Sequence, residues 1–239
     1  MAPFLGRGSL LLLAAGIAGV VVAFVTVAPG LFIKLGVVLA MQLTAFGLFV
    51  EVFDRLAQAA IFRDEDSWLP EPTSDLPDVK VLFWRGLANL FAFGVLAVPA
   101  VLVAIYLRSA TAAIACQVLL FVYWPMGLTV HSVSGRMTGA LDVVAVGRGI
   151  LTAPLEYLAV CVLTFAAIGG STAVVIAIVG ASALAASVSG PGIGTNAALL
   201  AVISFVWFAA IAYFHGVLGY LMGALVRSKG EAFEFLQQA

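Results

Sequence analysis

The chain has little that could do chemistry. Its 239 residues include only 2 histidines and 2 cysteines, and 10% are charged. Cys116 and Cys161 each lie inside an apolar run, near opposite leaflets of the membrane when counted along their helices. They are too far apart to bridge and serve as small core residues. No H-E-x-x-H occurs, so a zincin-type metal site is excluded. His131 and His215 fall at different depths and suit neither a shared metal nor a bis-histidine haem. Walker motifs and G-x-S-x-G are missing, and the glycines of "SVSGPGIGTN" (187–196) have neither a preceding strand nor a following Lys-Thr pair. A formal charge of −1 offers no basic surface for nucleic acid. These absences argue against an enzyme and imply no metal or cofactor.

What the chain does have is hydrocarbon. It is 64% hydrophobic with mean hydropathy +1.18, so its solvent is lipid. Six apolar segments approach or exceed the length of a crossing helix: about 9–28, 31–53, 84–107, 110–130, 155–188 and 198–226. The basic, apolar start resembles a signal peptide, but the apolar run continues to Ala28, which predicts an uncleaved first span. In hydrocarbon every backbone polar group needs an internal partner, and nothing alternates like a barrel strand, so the spans are helices. Pro29-Gly30 and Arg108-Ser109 are tight turns. The expected fold is an all-α polytopic bundle of six transmembrane helices forming a single membrane domain, with cytoplasmic loops at 54–83 and 131–154.

Positive charge orients the bundle. With the N-terminus inside, only Lys34 and Arg108 of the 11 basic residues fall outside. Both termini are then cytoplasmic, in an inner membrane. The segment 155–188 as one helix would measure about 50 Å against a hydrocarbon core of about 30 Å. Gly169-Gly170-Ser171 offers a kink there.

Two cytoplasmic stretches have more character. "RDEDSWLPEPTSDLPD" (63–78) is acidic and proline-rich, a solvated loop or a docking segment for a protein partner, and it lacks the spacing and glycine of a calcium loop. In 134–154 a short interfacial helix is expected, capped by Asp142, with Val143, Val146 and Ile150 as an apolar stripe and Arg148 towards water. Pro154 then starts the fifth span, and Glu156 in its first turn suits the helix dipole.

Polar groups at membrane depth are costly and are the natural candidates for function. Counting about 1.5 Å per residue, His215 lies about 18 Å above Arg227. Gln42 lies at the same depth above Asp54, and Gln117 slightly higher above His131. These three, with Thr44, are expected to form a mid-membrane cluster. His215, Gly219 and Gly223 share a helical face through which a neighbouring backbone can approach closely, and Gly216 adds a further small packing position. His215 is then either satisfied between helices or a proton-handling or ligand-contacting group. A second cluster is expected at the cytoplasmic boundary: Glu51, Asp54, Arg55, Arg85, Asn89, His131, Arg136 and Glu156, with Glu51 and Arg55 an i,i+4 pair.

The order of "WLPEP" before the third span, "YWPMGLTVHSVSG" ending the fourth, "GALDVVAVGRGI" as a short helix and "APLEYLAV" opening the fifth resembles a loosely defined group of uncharacterised bacterial multi-span membrane proteins. Pro125, Ala140-Leu141-Asp142 and Tyr157 occupy the places of that group's proline, short helix start and tyrosine. Asp142 replaces an asparagine, and no proline follows it. The final "FHGVLGYL" is similar to the group's C-terminal H-x-L-G run. The resemblance implies a membrane bundle and no activity. The expected role is a non-enzymatic subunit or scaffold of a membrane assembly; the alternative is a transporter or permease component using the mid-membrane group.

Overall fold

The computed structural model describes residues 14–21, 31–62, 78–136, 138–189, 193–230 and 233. The helices are α1 (14–21), α2 (Leu31–Phe62), α3 (Val79–Leu107), α4 (Ala110–Ser134), α5 (Val143–Thr152), α6 (Pro154–Ser189) and α7 (Ile193–Ser228), with a 3-10 turn at Gly139–Leu141. No strand occurs among the described residues. Among the described residues, four stretches are long and apolar enough to cross a membrane: Val79–Val103, Ala110–Ser134, Pro154–Val174 and Ala201–Ser228.

Several boundaries differ from the sequence expectation. α2 runs past 53 to Phe62, so Asp54, Arg55 and Gln58 are helical and not part of a loop. α3 begins at Val79, with Asp78 Oδ1 accepting from the Lys80 amide at 2.9 Å. The fifth segment is one helix, α6, through Gly169-Gly170, and helical glycines cost only about 1 kcal/mol each and do not force a break. α7 starts at Ile193, five residues before the expected start of the last span at 198. The acidic segment lies outside the described residues from 63 to 77.

The chain passes back and forth between two compact units. One comprises Met1–Phe49, Glu71–Gly86 and Thr164–His215; the other comprises Val50–Pro70, Leu87–Leu163 and Gly216–Ala239. In the first, Ala15, Leu48, Phe49, Leu82 and Ala212 form a core, with Phe208 and Ile211 packed against it. α2 and α3 meet backbone to backbone: a Cβ on Gly47 would fall on the Leu82 carbonyl, and one on Gly86 on the Leu43 carbonyl. Close packing through small residues is a main source of helix adhesion where lipid removes the hydrophobic drive.

In the second unit the lower half of α4, Pro125 to Val133, is buried throughout. Pro125 has no N–H, and its ring crowds the preceding turn. The amide that Pro125 lacks would have served the Phe121 carbonyl, and a side chain from another helix bonds the next pair of backbone groups along. Tyr157 of α6 accepts from the Met126 amide at 3.3 Å and donates to the Val122 carbonyl. Its phenol is 1% exposed. Insertion of a side chain into the i→i−4 ladder is a recognised origin of helix distortion. One turn on, Thr129 Oγ1 donates back to the Pro125 carbonyl at 2.8 Å.

The local signals at the ends of α4 and α5 work as written in the sequence. Ser109 caps α4 by accepting from Ala112 N–H at 3.2 Å. Gly135 ends α4 at φ 63°, where its amide reaches His131 C=O. Asp142 caps α5 through Ala145 N–H at 2.9 Å. Pro154 opens α6, as a first-turn proline can.

Candidate functional site

The polar groups of the second unit gather where α2 meets the end of α4. Four carbonyls at a helix C-terminus lack intrahelical donors, and if buried they need other partners. Here Gly135 N–H serves His131 O at 3.0 Å, and Gln58 Nε2 of α2 serves Ser132 O at 2.9 Å. One turn before Gln58, Asp54 accepts from the Ser132 hydroxyl. Asp54 and Gln58, four residues apart on one face of α2, therefore grip the side chain and the carbonyl of the same serine. Ser132 Oγ also lies 2.9 Å from the Leu128 carbonyl, but its single proton favours the charged acceptor.

His131 completes the joint. Its Nδ1 is 2.8 Å from the Arg136 carbonyl, and a carbonyl only accepts, so Nδ1 carries a proton. Nε2 faces Asp54 Oδ2 at 3.6 Å. Asp54, His131 and Ser132 are all buried. Although serine, histidine and aspartate are all present, Ser132 is bonded to Asp54 and not to the imidazole. The serine-to-histidine bond that activates a serine nucleophile is therefore not made.

The other residues expected at this boundary are placed as follows. Glu51 and Arg55 pair at 2.5 Å along α2, with the glutamate buried and the arginine partly exposed. Asn89 is buried on α3 in the same unit. Arg136 contributes its carbonyl. Glu156 is apart from the joint: it pairs with Lys229 at 3.3 Å, both exposed. Arg85 belongs to the other unit. Ser132 and Gln58 were not among the expected site residues. Gln58 could have been found by extending α2 one more turn and following the i,i+4 spacing from Asp54.

The mid-membrane residues are placed as follows. In the first unit, His215 stacks on Phe49, ring centroids 5.4 Å apart, and its Nδ1 is 2.9 Å from the Ile211 carbonyl of its own helix. Thr44 Oγ1 donates to Ala40 O at 2.8 Å, also within its own helix. Gln42 lies on the exposed side of α2. Gln117, half-buried on α4, belongs to the second unit. Gly216, Gly219 and Gly223 are buried; Gly219 faces the Phe53 backbone and Gly223 faces Ala57 and Ala60, where a Cβ would come within 2.7 Å of the Ala60 methyl. No group of three His, Cys, Asp or Glu side chains able to hold a metal occurs among the described residues.

Among the described residues these features define an all-helical protein with four helices of membrane-crossing length and character, and a buried carboxylate–imidazole–hydroxyl joint at the end of one of them. No protein-family model matches the chain, and no curated protein or solved structure matches it.

Proposed function

We propose that this is a non-enzymatic integral protein of the bacterial inner membrane, a subunit or scaffold of a membrane assembly, with six spans and both termini cytoplasmic. The observation that carries this reading is the Asp54–His131–Ser132–Gln58 joint. Its buried polar groups are spent on fastening α2, α4 and the Arg136 turn to one another. That use suits a fixed platform for a partner on the acidic stretch 63–78. The positive-charge bias and the apolar segments 9–28 and 31–53 support the two further spans.

The test is to purify the full chain from its own membrane, with and without Ser in place of the acids in 63–78. The expected result is a defined protein at fixed stoichiometry with the native chain, lost with the altered one, while the bundle stays folded. A chain that purifies alone, and that moves a solute across proteoliposomes, would overturn it.

A transporter component is the second reading, favoured by His215. With Nδ1 donating to Ile211, the neutral ring presents Nε2 as a lone-pair acceptor inside an apolar helix. Flux that disappears in His215→Ala while folding is retained would establish it.

A further inference from the structure

The short helix α5 has three sides, and only two of them have an evident environment. At about 100° per residue, Val146 and Gly149 fall on one arc. Both are buried, and a Cβ on Gly149 would lie 2.9 Å from the Met126 sulfur of α4. Thr152 and Arg148 form a second, polar arc, with Arg148 exposed and Thr152 Oγ1 donating to the Arg148 carbonyl at 2.9 Å. The third arc holds Val143, Gly147, Leu151 and Val144. Its three large side chains are 61%, 77% and 63% exposed in that order. The apolar stripe expected from the sequence (Val143, Val146, Ile150) is therefore the border between two apolar sides, one turned to protein and one turned outward.

We infer that this outward side of α5 is immersed in membrane lipid, with Arg148 at its edge at the level of the headgroup phosphates. The inference rests on α4 and α6 crossing the bilayer. α5 is held between them: α4 ends at Ser134 and α6 begins at Pro154, so α5 lies where both meet the same membrane surface. The apolar surface does not stop at α5. It continues along the chain into α6 through Leu155, Leu158 and Val162, all exposed, within a stretch of crossing length. A helix with one face on protein, one apolar face outward and a cation at the margin has the composition of an interfacial element. The long arginine stem can lie along lipid while its head stays in the phosphate layer. Water on this side would leave three large aliphatic groups wetted for no return.

The experiment uses the full chain carrying Cys116→Ala, with the buried Cys161 left in place, and one new cysteine at a time: Val144→Cys, Arg148→Cys, Leu151→Cys or Leu163→Cys. Each is labelled with a nitroxide and reconstituted into phosphatidylcholine–phosphatidylglycerol vesicles. Power saturation then compares access of oxygen with access of a water-soluble nickel chelate. Oxygen dominating at 144 and 151, with nickel dominating at 148, is the expected result. Nickel dominating at 151 while oxygen dominates at 163 would place the face in water and overturn the inference alone. Exclusion of both reagents at 144 and 151 would mean that a protein covers the face, and would equally overturn it. Nickel dominating at 163, on the outer face of α6, would overturn the crossing on which the inference depends.

Discussion

The Tyr157 hydroxyl bridges the turn of α4 around Pro125, accepting from Met126 N–H and donating to Val122 C=O. The two residues lie on different helices and form one device. In a membrane helix, a freed amide and carbonyl cannot turn to bulk water, so a side chain from a neighbouring helix is the effective substitute. The same hydroxyl therefore satisfies α4 and fixes the position of α6 against it.

Tyr157→Phe should destabilise the protein by about 1–3 kcal/mol, the usual cost of stranding a buried polar group. In a Pro125→Ala background, α4 can close its own ladder, and the same change should cost clearly less. A double-mutant cycle on reversible unfolding in mixed micelles measures this coupling. Simple additivity of the two changes would show that Tyr157 acts independently of Pro125.

The α2–α3 contact makes a prediction with an internal control. Gly47→Ala and Gly86→Ala each drive a methyl into the opposing backbone and should cost about 1–3 kcal/mol through overpacking. Gly94→Ala, on the same α3 helix with open space where the methyl would go, should be neutral or slightly stabilising. Thermal unfolding of the detergent-solubilised chain distinguishes the sites. Equal shifts for all three would contradict the close approach.

At the Asp54 joint, Ser132→Ala removes the hydroxyl given to the carboxylate and should cost about 1–3 kcal/mol. His131→Ala should cost at least as much, because it removes the ring facing Asp54 and also the donor to the Arg136 carbonyl. Asp54→Asn keeps an acceptor for Ser132 and should be milder than His131→Ala. The order of retained folded protein after heating, read by size exclusion, checks this ranking.

His215→Phe separates the two functional readings. A phenyl ring preserves stacking on Phe49 and needs no partner at Nε2. A scaffold should keep both its fold and its partner stoichiometry with this change. Loss of a measured solute flux with the fold intact would instead favour transport.

Composition and local chemistry determined much of this protein. Apolar runs longer than about 17 residues in a chain with 10% charge leave helices in lipid as the workable form. Two helix starts were equally legible: Asp142 and Pro154 act on backbone groups within a few residues, whereas α4 runs four residues past its expected end at 130 to the Gly135 cap. Glu51 and Arg55 were legible for the same reason, since one helical turn brings them together.

Contacts between distant parts of the chain were decided only by the fold. Depth counting gave His215 a level along its helix but could not supply the rotation of its neighbours, and the ring lies on Phe49. Gly47 and Gly86 carry no mark of their own; they acquire meaning only when two helices cross at that point. The link from Gln58 to Ser132 needs α2 to continue past residue 53, because only its further turns place Asp54 and Gln58 on one face. Tyr157 and Pro125 could be noticed one at a time in the sequence. Their hydrogen bonds span more than 30 residues, and the packing of α6 on α4 decides them. Periodicity and capping act over a single turn, where chain connectivity sets the geometry; partners across helices depend on rotation and register, which only the packed bundle fixes.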